Sequence, residues 1–71
     1  MKLVSDRELL AVRMEVAVSI CAKFPTMYKK VKEHKAPFGD DVQHTVYCVL
    51  TLLLEVEPVI DKVLGAYYKC Q

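Results

Sequence analysis

The sequence predicts an all-α fold, a small bundle of three or four helices, on three observations. Residues 6–23 contain neither glycine nor proline, and their polar positions gather on one stripe when plotted at 100° per residue. Pro25, the Pro37 to Gly39 stretch and Pro58 then cut the chain into pieces of helical length. Alternation of apolar and polar residues never lasts beyond a few positions, so the many valines do not spell strands. The 71 residues read as a single helical domain, 1–71. A chain so short buries only roughly 60 % of the surface its unfolded form exposes.

The first helix starts at Ser5. Its hydroxyl is placed to cap the helix, Glu8 completes a capping box, and Val4 is spaced to staple onto Leu9. From Asp6 to about Lys23 the polar stripe is Glu8, Glu15, Ser19 and Lys23, while Leu9, Leu10, Met14, Val16, Ala17, Val18, Ile20, Cys21 and Phe24 fill most of the rest. Arg13 interrupts that arc, which is too wide for one partner helix to cover.

Pro25 ends this helix, because the residue before a proline is driven out of the α region. With Thr26 as cap, Met27 to Lys35 reads as two short turns that bury Met27, Tyr28 and Val31 and expose Lys29, Lys30, Lys32 and Lys35. Ala36 to Gly39 is a loop. Asp40 caps the next helix, with Gln43 at the third helical position and Asp40 and Asp41 at the positive end of its dipole.

The run Val46 to Val56, VYCVLTLLLEV, is the most apolar stretch of the chain. A seven-residue seam, Val46, Val49, Leu53, Val56, Ile60, Val63 and Tyr67, passes straight through Pro58. Proline inside a helix costs roughly 3 kcal/mol, so the last segment is either one helix from about Asp41 to Tyr68 kinked near Leu54, or two helices with Pro58 at the first position of the second. The unbroken phase favours the kinked helix. Straight, its ~28 residues would reach about 42 Å, beyond the ~29 Å diameter of a compact domain of this length. The seam is assigned to the core, with the first and third helices at its centre. Tyr47, Leu50, Leu52 and Leu54 point to other faces and lack obvious cover.

Composition removes several functions. Hydrophobic residues are 54 % and the net charge is +1, so no global field steers nucleic acid or anionic membranes. The three cysteines, Cys21, Cys48 and Cys70, form no close pair; they read as reduced thiols of a cytoplasmic protein, Cys21 and Cys48 packing as small hydrophobes. The start lacks the apolar stretch of a signal peptide. The uncharged stretch Val42 to Leu54 falls short of the ~20 residues of a membrane span, and the lysines lie on the least apolar helix, against an interfacial membrane helix.

No metal, cofactor or catalytic set is expected. His34, His44 and the cysteines lack the close pairing of zinc ligands, and the two glycines, Gly39 and Gly65, form no phosphate loop. Glu55, Glu57 and Asp61 read as a solvated acidic face. Lys29, Lys30, Lys32 and Lys35 form the one basic patch, but Arg7 and Arg13 lie elsewhere and the following helix is too apolar to read bases. Basic and acidic blocks suit complementarity within or between chains instead.

The expected function is therefore a non-enzymatic protein–protein interaction module, a regulator, inhibitor or assembly adaptor. It should form a homodimer or dock an unidentified protein partner through Tyr47, Leu50, Leu52 and Leu54 with Val16 and Ile20 of the first helix. A nucleic-acid-binding accessory using Lys29 to Lys35 is the alternative. Small size without catalytic apparatus is also the profile of a viral or phage accessory protein.

Overall fold

Ser5 and Asp40, the two capping residues that the sequence marks, set the start of the two longest helices in the computed structural model, which describes residues 5–69. Ser5 Oγ accepts from the Glu8 N–H at 3.2 Å, and α1 runs Asp6–Lys23. The Val4 staple lies outside the described residues. Asp40 Oδ1 accepts from the Val42 N–H at 2.9 Å, and α3 runs Asp41–Val56. Between them α2 occupies Met27–Lys32, shorter than the expected span to Lys35. Thr26 precedes it without a side-chain cap; its backbone is already helical, at φ −88° and ψ −8°, so its hydroxyl is not presented to the free N–H groups.

The turn after α2 explains its length. The His34 N–H donates to Val31 O at 3.1 Å and the Lys35 N–H to Lys30 O at 2.8 Å, the paired bonds of a Schellman ending. His34 takes the left-handed position at φ 57°, a place that favours glycine. Gly39, at φ 72°, turns the loop back into α3.

Pro58 breaks the last segment. α3 stops at Val56, Glu57 lies outside the helical region at φ −128° and ψ 88°, and α4 runs Pro58–Lys69. This corrects the kinked helix that the unbroken phase favoured. The residue before proline avoids the α region, and Pro58 as the first helical residue gives up an N–H that had no intrahelical partner anyway. Glu57 spans the corner, donating to Leu53 O at 3.0 Å and accepting from the Ile60 N–H at 2.9 Å.

α1, α3 and α4 pack on one another, and α2 lies on α3. No strand occurs among the described residues. The buried core is Ala17 and Cys21 from α1, Met27 and Val31 from α2, Leu50 from α3, and Ile60 and Leu64 from α4. Tyr47, Leu54 and Tyr68 pack against it, and so do Val46 and Leu53 of the expected seam, whose Ile60 is itself buried; the fully buried position of α3, Leu50, lies off that seam. Val49 and Val56 of that seam are exposed. Cys48, expected in the core, is exposed as well, whereas Cys21 is buried; Cys70 lies outside the described residues.

Polar bonds tie the helices at three points. Tyr28 donates its hydroxyl to Asp61 Oδ1 and Lys32 Nζ donates to Asp61 Oδ2, both at 2.8 Å, fixing α2 to α4. Arg13 Nη1 pairs with Glu57 Oε1 at 2.6 Å, fixing α1 to the corner. The Tyr68 hydroxyl donates to Cys21 O at 3.3 Å, and its ring stacks on Tyr28 with centroids 5.2 Å apart.

Candidate protein-docking face

Apart from Phe38 in the loop and Val59 of α4, the large apolar residues that the bundle leaves exposed lie on α1 and α3. On α1, Leu9, Val12 and Val16 are 40 %, 53 % and 42 % exposed; on α3, Val42, Val49, Leu52 and Val56 are 61 %, 39 %, 60 % and 57 % exposed. Leu9 and Val16 lie seven residues apart, as do Val42, Val49 and Val56. Such spacing keeps an apolar seam on one side of a helix and is the pattern by which helices pack into further helices. Here both sets face solvent, the α3 one as an apolar seam and the α1 one along the edge of the polar stripe of Glu8, Glu15, Ser19 and Lys23.

The two seams meet in grooves between α1 and α3. One, of about 480 Å³, has Val16, Ile20 and Phe24 on one wall and Val46 on the other, with Glu15 and Lys23 at its rim. A second, of about 260 Å³, lies further along, between Arg13 and the α3 residues Val49, Leu52, Leu53 and Val56. The second is apolar apart from Arg13, while the first also carries Ser19 beside its two rim charges. Glu15 and Lys23 border the larger groove, and Arg13 of the smaller one is bonded to Glu57. Packed antiparallel neighbours with an apolar joint surface can form one half of a four-helix bundle.

The structure divides the expected site residues between this face and the interior. Leu52 and Val16 stand on the face, and Ile20 lines its groove. Leu50 does not: it is fully buried and belongs to the core, which corrects its assignment as a partner-binding residue. Tyr47 and Leu54 are half-buried and turn toward a separate cleft of about 230 Å³, whose lining includes Val31, Thr51 and Glu55. They lie on the flank of α3 opposite Leu52, so the six residues form no common surface. The reason is rotational. In VYCVLTLLLEV both Val46, Val49, Leu53, Val56 and Tyr47, Leu50, Leu54 form acceptable apolar lines, and the packing of the other helices buries Leu50, half-buries Val46, Tyr47, Leu53 and Leu54, and leaves Val49 and Val56 exposed. Sequence reasoning therefore missed Leu9, Val12, Val42, Val49 and Val56, although the heptad spacing was visible.

The basic patch is partly spent inside the molecule. Lys32 is bonded to Asp61 at 2.8 Å and Lys35 lies 3.6 Å from Glu33, though both stay exposed with Lys29, and Lys30 is half-buried. The Lys32 ammonium holds the Asp61 carboxyl below the usual carboxylate range; burial opposes this, and the Tyr28 hydroxyl adds to it. Burial first, then the bond to Asp61, pushes the Tyr28 phenol up to about 12. Burial likewise raises the Cys21 thiol.

His34 borders the 230 Å³ cleft beside Asp61 and Glu55, while His44 is exposed on α3. Among the described residues no three histidine, cysteine or carboxylate side chains converge as a metal site. No helix among them is long and apolar enough to cross a membrane.

Comparison of the chain with protein-family models, curated proteins and solved structures finds no match.

Proposed function

We propose that this protein is a small non-enzymatic interaction module, a regulator, inhibitor or assembly adaptor, that works by docking the α1–α3 face onto another helical surface. The observation that carries this reading is the joint exposure of Val16, Val49, Leu52 and Val56 along seams of heptad spacing. Burial of one such side chain is worth ~1.5–3 kcal/mol. Leaving several in water is a considerable loss for a domain whose total stability is about 5 kcal/mol, and a partner recovers it. The charge arrangement favours docking over nucleic-acid binding by the basic patch, since Lys32 and Lys35 have carboxylate neighbours and a phosphate would have to compete with them.

The reading is tested by immobilising the native protein and a Val16→Glu, Leu52→Glu variant, and offering each both soluble copies of the chain and lysate of the native host. Binding that the native protein shows and the variant loses is the expected outcome. Identical retention by both, with the variant's helical circular dichroism intact, would place docking elsewhere. Retention of RNA or DNA lost on Lys29→Glu, Lys30→Glu substitution would favour the basic patch instead.

A further inference from the structure

A further cleft lies away from the α1–α3 face, where α2 and the turn before it meet the last turn of α4. Its volume is about 400 Å³, within the range of small-molecule sites, and its walls include Pro25 and the rings of Tyr28 and Tyr68. Those two rings lie nearly parallel, 9° apart with centroids at 5.2 Å. Both are fixed by their hydroxyls: Tyr28 donates to Asp61 Oδ1 at 2.8 Å and Tyr68 to Cys21 O at 3.3 Å. The polar ends are thus spent within the protein, and flat ring surface is what the two residues offer a guest. Rigid aromatic walls of this kind suit another aromatic ring, stacked or edge-on.

Three charged side chains border the cleft, Lys29, Lys32 and Glu33. Lys32 is held by Asp61 at 2.8 Å and Glu33 lies 3.6 Å from Lys35, whereas Lys29 forms no ion pair among the described residues. Burial raises both phenols, so neither ring adds a negative charge near neutral pH. One uncompensated positive charge is left beside an aromatic wall.

We infer that this cleft binds a small aromatic anion, a planar ring system carrying a phosphate or a carboxylate, with the ring against Tyr28 and Tyr68 and the anionic group on Lys29. The site shares no residue with the docking face and stands or falls without it. A nucleoside monophosphate and an aromatic carboxylic acid both have this chemistry, and titration separates them.

The test is an NMR titration of the full chain with adenosine monophosphate, naphthyl phosphate and naphthoate, using naphthol and inorganic phosphate as controls. At least one of the three anions should shift the ring protons of Tyr28 and Tyr68 and saturate, and the tightest of them tells nucleotide from aromatic acid. Naphthol and inorganic phosphate, each with half of the recognition, should bind at least about tenfold more weakly. Lys29→Glu, at an exposed position, should weaken the anion at least about tenfold while leaving naphthol binding and helical circular dichroism unchanged. Tyr68→Leu should lose the anion and Tyr68→Phe, which keeps the ring, should retain it; if Tyr68→Leu fails to fold, Lys29→Glu decides alone. Absence of saturable shifts at Tyr28 and Tyr68 with all three anions overturns the inference, as does binding indifferent to Lys29→Glu. Shifts confined to Val49, Leu52 and Val56 overturn it too, and leave the docking reading untouched.

Discussion

Leu50 and Leu52 are two positions apart on α3, yet one is fully buried and the other 60 % exposed. A two-residue step turns a helix by about 200°, so burial of one commits the other to the opposite side. Leu50→Ala removes packing at the centre of the bundle and is expected to cost about 2–5 kcal/mol, most of the stability of a domain this small. Leu52→Ala should change the stability of the dissociated chain by less than about 0.5 kcal/mol. Urea titrations at high dilution read both. His34 is a second residue whose position makes a prediction. Its left-handed backbone at φ 57° carries a β-carbon that glycine would lack. His34→Gly should therefore stabilise the fold by about 0.5–1 kcal/mol, the strain removed less the greater freedom of glycine in the unfolded chain. The same urea titration checks it. Neither residue's fate was legible beforehand: Leu50 and Leu52 are chemically identical, and histidine does not announce a helix end as glycine does.

At the scale of elements, legibility followed the capping chemistry. The bounds of α1 and the start of α3 were readable because Ser5, Pro25 and Asp40 act on their immediate neighbours. The break at Pro58 was harder, since continuous apolar phase suggested one helix while the proline favoured two. α2 shows how a six-residue helix, too short to hold itself in water, is kept in place: Met27 and Val31 enter the core, and Tyr28 and Lys32 converge on Asp61. Asp61 releases its proton more readily in the folded chain than in the unfolded one, so the folded form binds fewer protons. Its contribution is complete above about pH 4 and is lost as pH falls through the lowered value. The urea midpoint of the native protein should therefore exceed that of Asp61→Asn near neutral pH and approach it in acid. A gap that stayed constant into acid would show that the carboxylate's charge does not hold α2.

For the whole molecule, shape and surface point the same way. The radius of gyration is 12.7 Å, above the about 11 Å of a compact chain of this length, and the molecule measures 40 × 29 × 19 Å. A body only 19 Å thick has little more than two layers of helix, so neither α1 nor α3 can be covered all round. On the proposed function, a partner packed on their joint face would supply the missing layer. If that partner is a second copy, the melting temperature must rise with protein concentration, because association stabilises only the folded form. Scanning calorimetry or circular dichroism over a hundredfold range of concentration should show this rise in the native protein and lose it in Leu52→Glu.

The sequence alone determined that the chain is helical, where its capped ends fall, and that it holds more apolar surface than so small a fold can enclose. These follow from local chemistry: hydroxyl and carboxylate caps, prolines that forbid the α conformation before them, and periodicity along one helix. Only the tertiary structure decided which side of Val46 to Val56 is covered. Two apolar lines on that helix are nearly equivalent by hydrophobicity, and the full burial of Leu50 was decided by where the other helices pack, a relation between residues far apart in the chain. The consequence is that Leu50 lies within and Val49, Leu52 and Val56 lie outside, on the face where a partner would be met.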